Sequence, residues 1–149
     1  MKVKELLEKK SRPVHTIAGD QSVARAVDIM SGRRTSALIV TENEQPIGIF
    51  TERDLFRIYQ RDKTTVKSET PMKDILTGNL ITANPDDHVG SLVARMVNAD
   101  IKHLPVMKEN SIIGMLTLHD LVDQYVESLT DEIHNLKDYI EDLHEAGRD

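Results

Sequence analysis

The chain repeats itself, and that repeat limits what it can fold into. Residues 14–59 align with residues 80–125 without a gap, at an offset of 66 residues, as between Gly48 and Gly114. In that frame Thr16 meets Thr82, Asp20 meets Asp86, Val23 meets Val89 and Met30 meets Met96. Leu38, Val40 and Leu55 likewise meet Leu104, Val106 and Leu121. The densest match is Gly48-Ile-Phe-Thr51-Glu-Arg-Asp54 against Gly114-Met-Leu-Thr117-Leu-His-Asp120. A doubled polar motif on a doubled apolar frame implies two equivalent clefts as well as two equivalent folding units. One unit of about 60 residues buries only a marginal core, so pairing the two is the economical way to hide their apolar faces.

Composition narrows the function. The chain has 39% hydrophobic and 30% charged residues, which describes a soluble globular protein. A net charge of −6 and only 3% aromatic residues argue against nucleic-acid binding, which needs a basic field and stacking platforms. No apolar run approaches the roughly 18 residues of a membrane span, and residues 1–10 are charged and amphipathic, unlike a secretory signal. Cysteine is absent, which removes disulfides and thiolate metal sites. The expected location is the cytoplasm, with no membrane and no nucleic-acid partner.

The coarse order of elements follows from local pattern. Val3, Leu6 and Leu7 mark an opening helical turn whose counterpart is Met72, Ile75 and Leu76, displaced by three residues. Pro13 precedes a short extended segment ending at Thr16. Asp20 or Ser22 can cap a helix carrying Val23, Val27 and Met30, and Val89, Val93 and Met96 repeat that spacing. Two β-rich runs around Glu42-Asn-Glu-Gln45, and again around Lys108-Glu-Asn-Ser111, predict hairpins, each followed by a second helix. The polar stretch 62–70 is the expected linker. The predicted domains are therefore 1–66, 67–126 and a C-terminal helix over 127–149.

That last helix carries a heptad stripe. Val126, Ile133 and Ile140 fall at position a, and Leu129, Leu136 and Leu143 at position d. β-branched residues at a with leucine at d favour a parallel two-stranded coiled coil, in which Glu132 at g meets Lys137 at e of the partner helix. The alternative is that the stripe packs on the body of its own chain.

The element order, the Gly-h-h-Thr-x-x-Asp motif in both copies and the run Leu104-Pro105-Val106 resemble the CBS domain, named after cystathionine β-synthase. The match is to a tandem pair covering roughly residues 1–126. The resemblance implies an α+β fold, with two β-α-β-β-α repeats packed around a pseudo-twofold axis and a C-terminal helical extension. It also implies two clefts for adenosine-containing ligands such as AMP, ADP, ATP or S-adenosylmethionine.

Carried onto this sequence, the nucleotide-binding residues are Thr16, Gly48, Thr51, Arg53, Asp54, Thr82, Lys102, His103, Gly114, Thr117, His119 and Asp120. Asp54 and Asp120 would accept hydrogen bonds from ribose hydroxyls. Thr51 and Thr117 would stand with phosphate at a helix start. Gly48 and Gly114 would let the backbone approach the ligand closely, and Thr16 and Thr82 would contact adenine or phosphate. Thr-x-x-Asp also matches a capping box, which needs no ligand, and the two roles can coexist.

Lys102 and His103 precede the second strand of the second repeat, where the first repeat has uncharged Ser36 and Ala37, with Arg33 and Arg34 nearby. Phosphate is therefore expected in the second cleft. Asp86-Asp87-His88 reads as a turn before a helix, not a metal site. No Walker loop, dinucleotide glycine motif or nucleophile elbow is present. The expectation is a stand-alone regulatory module without enzymatic activity or resident cofactor, a homodimer that signals to a separate, unidentified protein. A ligand-free dimerisation module is the alternative.

Overall fold

In a computed structural model, residues 1–10, 12–61, 67–76 and 80–147 are described. The first repeat contains α1 (Val3–Lys9), β1 (Thr16–Ala18), α2 (Val23–Arg33), β2 (Ala37–Glu42), β3 (Gln45–Thr51) and α3 (Glu52–Arg61). The second opens with a 3-10 turn (Met72–Asp74) and continues with α4 (Val89–Ala99), β4 (His103–Lys108), β5 (Ser111–Thr117) and α5 (Leu118–Ala146). The α+β class and the doubled unit are as the sequence implies.

Ser22 caps α2 by accepting the Arg25 N–H at 3.1 Å. The helix ends at Arg34 in the left-handed conformation, and α4 ends the same way at Asp100. The buried face of α2 differs from the expected one. Val23, Ala26 and Met30 are buried, while Val27 is 40% exposed. In α4 the same positions are Val89, Leu92 and Met96, with Val93 only half-buried. Alanine had hidden the true face, because it signals burial weakly while Val27 signals it strongly.

Strands keep the 66-residue symmetry in register. Leu38 pairs with Phe50 and Leu104 with Leu116, and each hairpin has an irregularity at the same place, after Val40 and after Val106. Parallel pairing joins Ile17 to Val40, and Ala83 to Val106. In the first repeat this forms a third strand. In the second it shrinks to a bridge, and the cause is one residue. Ile39 N–H donates to the His15 carbonyl at 2.9 Å, whereas its counterpart Pro105 has no N–H to give.

The two cores exchange their opening turns. Val3 and Leu6 of α1 are fully buried among Ala83, Val89, Leu92, Met96, Leu104, Val106, Leu116 and Leu121 of the second repeat. Met72 reciprocates among Ile17, Val23, Ala26, Met30, Leu38, Val40 and Phe50 of the first. Gly48 and Gly114 make the exchange possible. A Cβ on Gly48 would lie 2.9 Å from Leu76 Cδ1, and one on Gly114 would collide with Leu7 Cδ2. Leu38 and Val40 face the helices of their own repeat. Ala37 and Ile39, on the opposite face of β2, are buried too. Near that face the repeats touch through Ser36 Oγ and His103 Nε2, 3.0 Å apart.

Only the first two turns of α5 pack on the body: Asp120, Leu121 and Gln124 are buried. From Tyr125 to Gly147 every residue is exposed, and Leu129, Ile133, Leu136, Ile140 and Leu143 lie between 42% and 56% exposed. Packing of the heptad stripe on its own chain is not what the structure shows. Among the described residues no helix is long and apolar enough to cross a membrane.

Candidate functional site

The two motifs lie where β3 runs into α3 and where β5 runs into α5. In the first, Asp54 Oδ2 accepts the Thr51 N–H at 2.9 Å and the Thr51 hydroxyl at 3.3 Å. In the second, Asp120 Oδ2 accepts the Thr117 N–H at 3.0 Å, while the Asp120 N–H donates to Thr117 Oγ1 at 3.2 Å, a full capping box. The chain also uses the next donor of each helix start. Glu52 N–H bonds the Ser36 carbonyl at 3.1 Å, and Leu118 N–H bonds the Lys102 carbonyl at 2.9 Å. Fewer amides remain for phosphate than the sequence implied.

Capping occupies one carboxylate oxygen in each motif, and the other oxygen separates the two sites. Asp54 Oδ1 has Arg57 Nη1 at 3.9 Å, beyond hydrogen-bond range, and the side chain is 27% exposed. Asp120 Oδ1 accepts from Arg12 Nη2 at 2.7 Å, and Arg12 Nε reaches Asp120 Oδ2 at 3.0 Å. This fork leaves Asp120 with no exposed surface. Burial alone would raise the Asp120 pKa, but the hydrogen bonds from Arg12 and Thr117 outweigh it and hold the carboxyl below its usual value. The same contact raises the Arg12 pKa.

Each cleft draws from both repeats. The larger, about 400 Å³, is lined by Ile49, Thr51, Glu52, Arg53, Asp54, Phe56 and Arg57 from the first repeat, and by Ile81, Asp100, Ile101, Lys102 and His103 from the second. The smaller, about 220 Å³, sets Arg12, His15, Arg33, Arg34 and Ser36 against Met115 and Thr117. Lys102 therefore lines the Asp54 cleft and not the cleft beside Asp120 expected from its place in sequence, while His103 stands between the two. The crossing follows from the repeat-to-repeat contact, which brings the loop before β4 against the end of β3.

Arg53 spans the larger cleft, donating to the Asp100 carbonyl at 2.6 Å and to Asp100 Oδ2 at 2.7 Å. His103 lines both clefts. Its pKa is lowered first by burial and then by Lys102 and Arg12, against an opposing pull from Glu52. A neutral imidazole beside Ser36 is the result.

Six of the expected residues line neither of these clefts, and Asp120 is one of them, covered by Arg12. Thr16 lines a separate cavity of about 300 Å³ with His15, Arg25 and Arg33, and Thr82 lines neither cleft. His15 and Ile81, one position earlier, take those places, because successive residues of an extended segment point to opposite sides. Gly48 and Gly114 sit under Leu76 and Leu7, so their missing side chains make room for leucine and not for a ligand. His119 is exposed and 3.9 Å from Asp123. Sequence reasoning had passed over Arg12, Arg57, Phe56 and Asp100. Arg57 and Phe56 lie on the α3 face one turn from the motif, a spacing that could have exposed them. Among the described residues, no cluster of His, Asp or Glu is placed to hold a metal ion.

Comparison with known proteins converges on one description. The model of the CBS domain family matches residues 3–61 and 62–127. A mitochondrial CBS domain-containing protein of Arabidopsis thaliana is 34% identical over 127 residues, 82% of this chain and 61% of that protein. The chain thus spans less than two thirds of that relative. A solved CBS-domain-containing protein from Agrobacterium tumefaciens is 25% identical with a TM-score of 0.73, over 84% of this chain and 99% of that one. Two solved structures share the fold at lower identity. A CBS domain pair in complex with 5′-methylthioadenosine and S-adenosyl-L-methionine is 22% identical (TM-score 0.71, 86% of this chain and 98% of that one). A CBS domain protein from Pyrobaculum aerophilum complexed with AMP is 19% identical (TM-score 0.68, 80% and 89%).

Proposed function

Since this chain belongs to the CBS-domain family, carrying two copies of the domain, we propose that it is a regulatory module that binds an adenosine-containing ligand in the Asp54 cleft. One observation carries the reading. In a cavity of about 400 Å³, a carboxylate whose second oxygen has no hydrogen bond among the described residues, with Arg57 3.9 Å away, faces the same space as Arg53, Lys102 and His103, between apolar walls from Ile49, Phe56 and Ile81. The volume lies in the range of small-molecule sites. Asp54 Oδ1 can accept two ribose hydroxyls, Phe56 offers a ring face to adenine, and Arg57 and Lys102 suit a phosphate or carboxylate. The complexes of two fold neighbours with AMP and with S-adenosyl-L-methionine support the ligand class.

The signal we assign to occupancy is a shift between relative orientations of the two repeats. Ligand bridges Asp54 on α3 to Lys102 and His103 at the start of β4, so it favours whichever orientation aligns them. The exposed stripe of α5 passes that change to a second copy of the chain, through a parallel coiled coil with Glu132 against Lys137 of the partner subunit, and onward to the regulated protein. Binding occurs without turnover in this scheme. A panel of AMP, ADP, ATP and S-adenosylmethionine in thermal unfolding tests it: a compound at 100 times its dissociation constant adds about 2.7 kcal/mol of stability. Release of phosphate or adenine during the assay would point instead to an enzyme.

A further inference from the structure

The two clefts are built from the same motif, yet beside one of them Arg12 stands on the motif's carboxylate. Its guanidinium makes two hydrogen bonds to Asp120, at 3.0 and 2.7 Å, and so engages both carboxylate oxygens. That is the fork geometry an arginine adopts on a carboxylate, and two donors side by side also describe a ribose diol. The equivalent carboxylate, Asp54, keeps an oxygen with no partner inside hydrogen-bond range.

The sequence shows why only one motif has this guest. Six residues separate Leu7 from Val14, but only three separate Leu76 from Leu80, and Thr77-Gly78-Asn79 carries no cation. The longer connection is tethered at both ends. Leu7 is seated on Gly114, and the His15 carbonyl accepts the Ile39 N–H at 2.9 Å. Arg12 is held between those anchors, with 46% of its side chain still in water, so release does not require unfolding either repeat.

We propose that Arg12 is an internal occupant of the second cleft, standing on Asp120 where a ribose diol stands on Asp54. The chain then takes one adenosine ligand, in the Asp54 cleft, and the Asp120 carboxylate reaches the second cleft only when Arg12 is displaced. The proposal rests on the reading of the Asp54 cleft as the adenosine site.

Isothermal titration of the full chain with AMP, with ATP and with S-adenosylmethionine tests it. Wild type should bind one equivalent of at least one compound, and Asp54→Asn should weaken that event at least tenfold. Arg12→Gln, confirmed folded by thermal unfolding, should bind two equivalents. Arg12→Gln with Asp120→Asn should return to one. Two equivalents on wild type, one on folded Arg12→Gln, or undiminished binding to Asp54→Asn would each overturn the latch. Absence of binding to both wild type and Arg12→Gln would overturn the adenosine reading as well. Should Arg12→Gln fail to fold, the Asp54→Asn titration alone still decides, because full binding there would place ligand on Asp120 despite Arg12.

Discussion

Asp54 and Asp120 hold one position in the repeat and meet opposite fates, set by a residue outside the repeated motif. Nothing in Thr-x-x-Asp distinguishes them; the three extra residues before Val14 do, by carrying Arg12 to Asp120. The protonation behaviour of Asp120 follows from its partner. The lowered Asp120 pKa means that its contribution to stability is present above the ordinary carboxylate range and is lost as pH falls through the folded-state value. The lowered His103 pKa acts at milder acidity. The folded chain prefers the neutral ring, so stability falls as pH drops below about 6.5 toward the folded-state value. Urea unfolding at pH 7.5 and 5.5 should show a loss in wild type that His103→Gln reduces, and an equal loss in both would remove His103 as its source.

At the scale of elements, much of the fold was legible and the site was less so. The repeat placed every helix and both hairpins, because apolar spacing and turn residues act locally. It misjudged the inner face of α2, where Ala26 is buried and Val27 is not. It also assigned Lys102 and His103 to their own repeat's motif, since sequence neighbours give no sign that the loop before β4 crosses to β3. The exchange of opening turns was hidden for the same reason: nothing in Val3, Leu6 and Leu7 says which core receives them. That exchange gives a sharp prediction for the glycines. Gly114→Ala should cost about 1–3 kcal/mol in chemical denaturation through overpacking against Leu7. Adding Leu7→Ala should cost less than the sum of the two single changes, because the second change removes the clash. Strict additivity would mean that Leu7 and Gly114 do not meet as described.

At the scale of the whole molecule, the Asp54 cleft lies between the repeats and α5 projects beyond them. The exposed part of α5, 21 residues over 126–146, is about 30 Å long and presents an apolar stripe that no other described residue covers. We predict that sedimentation equilibrium gives a dimer for wild type and a monomer for Leu136→Lys, with unchanged circular dichroism of the body. A monomeric wild type would contradict the coiled coil but leave the cleft untouched. The cleft itself is tested most directly by thermal unfolding of wild type and Asp54→Asn, side by side, in AMP, ATP and S-adenosylmethionine. At least one compound should raise the wild-type midpoint, and Asp54→Asn should need about ten times more of it for the same rise, through loss of charge-assisted hydrogen bonds. A wild type that none of the three compounds stabilises at millimolar concentration, or a variant that responds as strongly as wild type, would contradict the assignment.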